Sequence, residues 1–334
     1  MSFLAPGRVL QGARWDYRIL TPVKGDNTHI STVFKAEVIQ RESADTSSRA
    51  PQWALVKVAL TSDTTAVENI HREHQTYSLP GVASAKCFRK MYDVIDSNTI
   101  ALEWLNTTLA EVQYQPNMRT YSLIAAVLEV MLTSCVVLEG HKCVNTDYKP
   151  ANILLSGVET GAVTAKVGDL GLVVPAGSLF NAQPYAMRAP EVFLGEACTE
   201  PSQVWAVAAM LLCWIKPGVL GPWNSPHYLV NEAWCMAKIK RLFPHWDIPT
   251  PDKVEGDSLK AAVDSAKRFS KQESELQDIL DILPFDEETQ KVEIPMQLRE
   301  LLRFMLVPNP VKRPSASSVM ISREFRAFQK LVAA

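Results

Sequence analysis

The stretch Asp147-Tyr148-Lys149-Pro150-Ala151-Asn152, running straight into the apolar Ile153-Leu154-Leu155, decides how this chain is read. An Asp, a Lys two residues on and an Asn five residues on are the polar set that a phosphoryl-transfer loop requires. In such a loop the Asp accepts the proton of an attacking hydroxyl. The Lys offsets charge on the phosphate in transit, and the Asn carbonyl holds a metal ion. The β-prone triplet behind the loop predicts that it runs into a strand.

Working outward, Asp169-Leu170-Gly171 stands seventeen residues past Asn152, behind the strand-like Ala165-Lys166-Val167. A carboxylate in a turn after a strand suits Mg²⁺ bridged to nucleotide phosphates. Ala189-Pro190-Glu191 ends 22 residues beyond Asp169. Upstream, Lys57 lies in the strand-like Val56-Lys57-Val58, and Glu73 follows sixteen residues later in the helix-like run from Ala66 to Leu79. A strand Lys paired with a helix Glu is the arrangement that holds an ammonium against α- and β-phosphates.

Taken in order, these residues make the chain similar to the eukaryotic protein kinases, from Tyr17 to about Phe325. The resemblance implies an α+β, bilobal fold: a small β-rich N-lobe over residues 1–105 and a large helical C-lobe over 106–334. It implies ATP and Mg²⁺ as cofactors, Asp147 as the base with Lys149 beside it, and Asn152 and Asp169 on the metal. ATP would be held by Lys57 with Glu73, by Val33, Leu55 and Leu154, and by the hinge residues Glu103 and Leu105 that follow Leu102. Three residues take structural places. Gln203 stands where the family's central helix has an Asp that anchors the catalytic loop, and Glu191 pairs with Arg313. Lys149 resembles the serine/threonine type, so the implied substrate is a protein Ser or Thr hydroxyl. The segments Tyr185–Glu191 and Trp234–Trp246 resemble proline-directed and SR-protein kinases, and the overall style is similar to small stand-alone fungal kinase-like proteins.

The chain departs from the family's pattern at several points. No G-x-G occurs anywhere; the lid reads Lys24-Gly25-Asp26-Asn27-Thr28-His29-Ile30-Ser31-Thr32. One glycine can turn the chain and the Thr28, Ser31 and Thr32 hydroxyls can bond phosphate, but Asp26 would repel it. Leu55 stands where the family packs an Ala on adenine. Asn145-Thr146-Asp147 replaces His-Arg-Asp, with Tyr77, Met91 and Leu170 expected to fill the rest of the core stack. These departures define the alternative reading, a pseudokinase scaffold with weak or no ATP turnover.

Composition narrows the remaining classes. The chain has 334 residues, 47% of them apolar, and a formal net charge of −2, which offers no global field to nucleic acid or an anionic membrane. The longest unbroken apolar run, Val204 to Ile215, is 12 residues, against ~20 for a membrane span. Six cysteines with no C-x-x-C make neither a disulfide framework nor a zinc site. The expectation is a soluble cytoplasmic or nuclear protein; the sequence carries no signal for oligomeric state. Strands are expected at 31–39, 53–60, 91–95 and 99–105, with a turn at Asp96-Ser97-Asn98 and a surface loop at 41–52. A long apolar helix is expected at 121–138, with mostly helical patterns from 201.

Overall fold

Residues before the hinge build one antiparallel sheet. The computed structural model describes residues 4–23, 31–41, 49–179, 183–271 and 280–333. Strands β1 (Val9–Gln11), β2 (Trp15–Pro22), β3 (Thr32–Gln40) and β4 (Trp53–Val58) are followed by helices α1 (Thr64–Tyr77) and α2 (Pro80–Ser84). Strands β5 (Met91–Asp96) and β6 (Thr99–Glu103) complete the sheet, in the order β1-β2-β3-β4-β6-β5. The turn expected at residues 96–98 joins β5 to β6, where the Asn98 amide bonds the Asp96 carboxylate at 2.8 Å. Strands β1 and β2 were not anticipated. Yet β2 alternates buried Trp15, Tyr17 and Ile19 with more exposed Asp16 and Arg18, the period of two that a half-buried strand requires. The lid residues Lys24 to Ile30, Thr28 included, and residues 42–48 of the expected surface loop lie outside the described residues.

Two elements of this lobe set up the cleft. Helix α1 starts at Asp63, whose carboxylate caps the Ala66 amide at 3.0 Å. Its buried stripe, Ala66, Ile70, Glu73 and Tyr77, follows helical spacing, so a carboxylate sits in an apolar face. Strand β4 buries four consecutive residues, Ala54 to Lys57, because both of its faces are covered. Each fold element therefore buries one charge, and the two charges face each other.

After the hinge come β7 (Thr107–Thr108) and the long helix α3 (Met118–Gly140). Among the described residues α3 is the one helix with the length and hydropathy of a membrane span, and more than half of that window is buried within the fold. Three short strands follow, β8 (Cys143–Asn145), β9 (Ile153–Ser156) and β10 (Thr164–Val167), then β11 (Val173–Pro175). They pair as β10-β9-β7 and β11-β8, two small ribbons that hold the loop 146–152 and the turn 168–172 side by side. Helices α4 (Pro190–Phe193), α5 (Glu200–Ile215) and α6 (Asn231–Leu242) lead to further helices, ending with Arg323–Ala333. The 12-residue apolar run forms most of α5, and it is a core helix with eleven of its residues from Ser202 to Leu212 buried.

A buried ion pair closes this half. Arg313 Nη1 and Nη2 bond the two oxygens of Glu191 at 2.7 and 2.8 Å. The guanidinium also donates to the carbonyls of Val307, Pro201 and Pro308, and Ser202 Oγ donates to Glu191 Oε1 at 2.9 Å. A pair so fully satisfied is stable while both partners remain. Removing one strands a buried charge, at a cost of ~3–5 kcal/mol out of a typical ~5–15 kcal/mol of domain stability. We expect Arg313→Ala to lower the melting temperature and soluble yield, and Glu191→Ala with Arg313→Ala together to cost less than the sum of the singles. Additive losses in that thermal-denaturation cycle would contradict the pairing.

Candidate active site

Lys57 Nζ lies 2.7 Å from Glu73 Oε2 and 2.9 Å from Asp169 Oδ1. Burial alone would pull its pKa down, but the Asp169 and Glu73 carboxylates outweigh that and raise it above the ordinary lysine value. The ammonium thus joins β4, α1 and the turn after β10. Asp169 adopts a left-handed backbone, φ 52°, an uncommon state for a residue with a Cβ. The residue before it is a glycine for a steric reason: a Cβ on Gly168 would come within 2.6 Å of Leu154 Cδ1. Leu154 can therefore floor the cleft only because position 168 is bare.

The loop that holds Asp147 is tied down on every side. Asn152 Nδ2 donates to the Asp147 carboxylate at 2.8 Å and to its carbonyl at 2.9 Å. That leaves Asn152 Oδ1 as the amide atom available to a cation. Lys149 Nζ stands 3.2 Å from Asp147 Oδ2. The Tyr148 hydroxyl, buried beneath, lies 2.7 Å from Ser134 Oγ on α3. Burial raises Asp147 above its ordinary carboxylate value against the pull of Lys149, which makes it a better proton acceptor.

Where the sequence departs from His-Arg-Asp, local chemistry fills the places differently. The Asn145 side-chain oxygen accepts from the Asp147 backbone amide at 2.9 Å, and the Asn145 backbone amide donates to Gln203 Oε1 at 2.8 Å. Gln203 Nε2 and Asn145 Nδ2 are buried without a partner, the cost of burying an amide of which only the oxygen is used. Thr146 Oγ1 bonds the Leu172 carbonyl at 2.8 Å, holding the turn after Asp169. Tyr77, Leu170 and the half-buried Met91 belong to one apolar cluster.

A cavity of about 350 Å³ is bounded by Lys57, Glu73, Asn152 and Asp169. Val33, Leu55, Leu102 and Leu154 supply its apolar walls, Trp104 and Leu105 its hinge edge, and Lys57, Asn152 and Asp169 its polar end. That division of one apolar slot and one charged end fits a base at one end and Mg²⁺-bound phosphates at the other. Glu103, expected among the ATP contacts, does not line it. Its carboxylate bonds Lys166 Nζ at 2.6 and 2.9 Å, and its carbonyl accepts from Arg89 Nε at 2.7 Å. Two contributors escaped the sequence reading. Lys35 sits 4.5 Å from the Trp53 ring and 4.7 Å from the Trp104 ring, a cation–π clamp beside the hinge. Arg89 lines the cavity from just ahead of β5; no motif marks it.

No protein-family model matches the chain. It is similar to the stress-activated protein kinase JNK of Drosophila melanogaster, 26% identical over 196 residues that cover 57% of this chain and 49% of that protein. It is also similar to the stress-activated protein kinase jnk-1 of Caenorhabditis elegans, 25% identical over 293 residues, 83% of this chain and 59% of that one. These similarities, at 25–26% identity, support assigning the chain to the eukaryotic protein kinases. The bilobal α+β architecture agrees, with a curled sheet over a helical lobe. The chain spans about half the length of the curated relatives it matches.

Leu55 and the segment after Asp169 each generate an expectation. Leu55 is buried, lines the cavity and pairs across the sheet with Leu102. Overpacking costs ~1–3 kcal/mol, or about 5–150-fold in affinity. Leu55→Ala should tighten Mg-ATP binding by up to that factor, read by calorimetry; unchanged or weaker binding would show that the slot has adjusted. Between Asp169 and Glu191 the hydroxyl side chains are Ser178 and Tyr185 alone. The segment is held without phosphate: Gln183 accepts from the Ala189 amide at 3.0 Å, and Arg188 stacks over Tyr185 at 4.7 Å. Unmodified protein, verified by mass spectrometry, should equal phosphorylated protein in activity. A large gain on Ser178 phosphorylation would refute this.

Proposed function

We propose that the protein is a serine/threonine protein kinase, transferring the γ-phosphate of a Mg²⁺-bound nucleoside triphosphate, ATP by the family resemblance, to a protein hydroxyl. The observation that carries this reading is the joint geometry of two bonded clusters, Lys57 with Glu73 and Asp169, and Asp147 with Lys149 and Asn152, of which Lys57, Glu73, Asn152 and Asp169 line one cavity. All six of these side chains are present, and each is bonded to another of the six. On this reading residues 1–105 cover the nucleotide and residues 106–334 carry the base and the protein substrate.

In this mechanism Asp147 accepts the proton of the substrate hydroxyl as the oxygen attacks phosphorus. Asn152 and the Asp147 amide bond fix the carboxylate, so no reorganisation is needed as charge develops. Lys149, already beside Asp147, offsets negative charge at the phosphoryl group. Lys57 would hold the α- and β-phosphates while Glu73 keeps its ammonium aimed into the cleft. Asn152 Oδ1 and Asp169 would hold Mg²⁺, which neutralises charge between phosphate oxygens when bound. The relatives' name, stress-activated protein kinase, supports a protein as the acceptor. Cytoplasmic or nuclear residence accompanies that reading. The second reading, a pseudokinase scaffold, draws on the lid without G-x-G and on the two unpartnered amide nitrogens at Gln203 and Asn145.

The two readings part on Asp147. If it is the base, Asp147→Asn lowers the rate by ~10²–10⁴ with nucleotide binding retained. Asp169→Asn should abolish Mg²⁺-dependent nucleotide binding. The pH profile gives a second measure. Burial raises Asp147, and a base works only when deprotonated. Activity should therefore fall as pH drops through a pKa above the ordinary Asp value of about 3.9, and the acid limb should vanish in Asp147→Asn. Phosphotransfer to a peptide array that survives in both variants, freed of contaminating kinases, would sink the kinase reading. Binding without any transfer in the wild type would favour the scaffold.

A further inference from the structure

Asp169 sits in a left-handed backbone, φ 52°, and such a state persists only where the surroundings over-determine it. Lys57 Nζ grips its carboxylate at 2.9 Å. On the reading above, nucleotide binding draws Lys57 to phosphate and Asp169 to Mg²⁺, so that grip is the one that gives way. A fastening that survives the event has to act on the backbone of the turn, through atoms that neither metal nor phosphate would take.

Arg72 makes such a bond. It stands on α1 one residue before Glu73 and is half-buried. Its Nη1 donates to the Gly171 carbonyl at 2.8 Å and to Asn69 Oδ1 at 3.0 Å. Asn69 is three residues back on the same helix, hence a neighbour on its surface, and it fixes the direction of the guanidinium. Gly171 lets the helix approach: a Cβ there would lie 3.2 Å from the Asn69 carbonyl oxygen and 3.4 Å from Asp169 Oδ1. The next carbonyl, Leu172, accepts from Thr146 Oγ1 at 2.8 Å. Two successive carbonyls are thus fastened, one from α1 and one from the loop that carries Asp147. A charged donor makes the stronger of two such bonds, and here it comes from the helix that also carries Glu73.

We propose that Arg72 is a positioning residue for Asp169: by holding the Gly171 carbonyl it keeps the turn 168–172 docked on α1 and Asp169 aimed into the cleft while metal and phosphate engage the Asp169 and Lys57 side chains. This rests on the Mg-nucleotide reading above and names the residue that readies its metal site. Glu73 and Arg72 are adjacent in sequence but serve different groups. Glu73 lines the cavity and orients Lys57, whereas Arg72 faces the turn and orients Asp169. The effect of losing Arg72 should therefore pass through the metal and spare the direct grip of Lys57 on the nucleotide.

Calorimetry on the full chain with ATP, in excess Mg²⁺ and in EDTA, tests it. Arg72→Met keeps the aliphatic stem and removes the donors. A hydrogen bond to a charged group corresponds to about tenfold, so the tightening of ATP by Mg²⁺ should fall by about that factor, with binding in EDTA unchanged. Arg72→Gln, too short to reach the carbonyl, should behave alike. Hydrogen exchange on the nucleotide-free protein gives a second readout: amides of 168–173 should exchange faster in both variants, those of 147–152 at the wild-type rate. Mg²⁺ tightening that is undiminished in the variants, or exchange that is unchanged at 168–173, would overturn the proposal and leave the nucleotide reading intact. So would an equal loss with and without Mg²⁺, which marks a general structural role. A wild-type protein whose ATP binding does not respond to Mg²⁺ would overturn the Mg-nucleotide reading and this inference with it.

Discussion

One ammonium group holds the cleft in its working geometry. Lys57 is buried in a strand, and a buried cation is tolerated only where anions surround it. Glu73 and Asp169 supply them from opposite lobes of the molecule, at 2.7 and 2.9 Å. The helix cannot rotate without leaving Glu73 charged in an apolar face, and the turn cannot withdraw without stranding Lys57. Domain positions that would otherwise be set only by soft apolar packing are therefore set by charge. The same interaction brings the strand lysine, the helix glutamate and the aspartate of the turn after β10 into one place.

The helical lobe has an equivalent frame made from different bonds. Arg313 and Glu191 form a dry bidentate pair, and Ser202 extends it to α5. From α5, Gln203 reaches the backbone of Asn145, and Asn145 in turn holds the Asp147 amide. Asp147 is thereby linked, through Asn145, Gln203, Ser202 and Glu191, to an arginine 166 residues away in sequence. The substitution of amides for a His and an Asp keeps this chain of contacts connected but leaves two buried nitrogens idle. Thr146 plays a comparable part: it gives up the guanidinium that would order a phosphate and uses its hydroxyl to fasten the turn at Leu172. The departures at Asn145, Thr146 and Gln203 are consistent with one another, each using a neutral side chain where the family uses an ionisable one.

Much of the fold and of the site was legible because the signals are local or ordered. The β-branched runs at 31–39 and 53–60 and the long apolar stretch at 121–138 each carry their own periodicity, and each formed the element expected within a few residues. Asp147, Asn152 and Asp169 announce themselves by spacing, since a loop that handles phosphate needs those side chains at those intervals. Strands β1 and β2 were passed over although Trp15, Tyr17 and Ile19 alternate plainly, because short alternating runs are ambiguous without a neighbour to pair with.

What the sequence by itself determined is the inventory: which charges the chain carries, in what order, and that their order matches a kinase. What only the tertiary structure decided is where the remaining bonds of each group go. Glu103 reads in sequence as a hinge contact, but a carboxylate beside Lys166 and a carbonyl beside Arg89 turn it to other partners. Arg89 has no motif at all, since its meaning comes from a cavity wall built by residues 55, 102, 105 and 154. Lys35 likewise becomes a hinge clamp only when folding sets Trp53 and Trp104 on either side of it. Spacing along a chain encodes which side chains are available. Hydrogen bonds and burial depend on three-dimensional neighbours, and those are set by packing that no single segment contains.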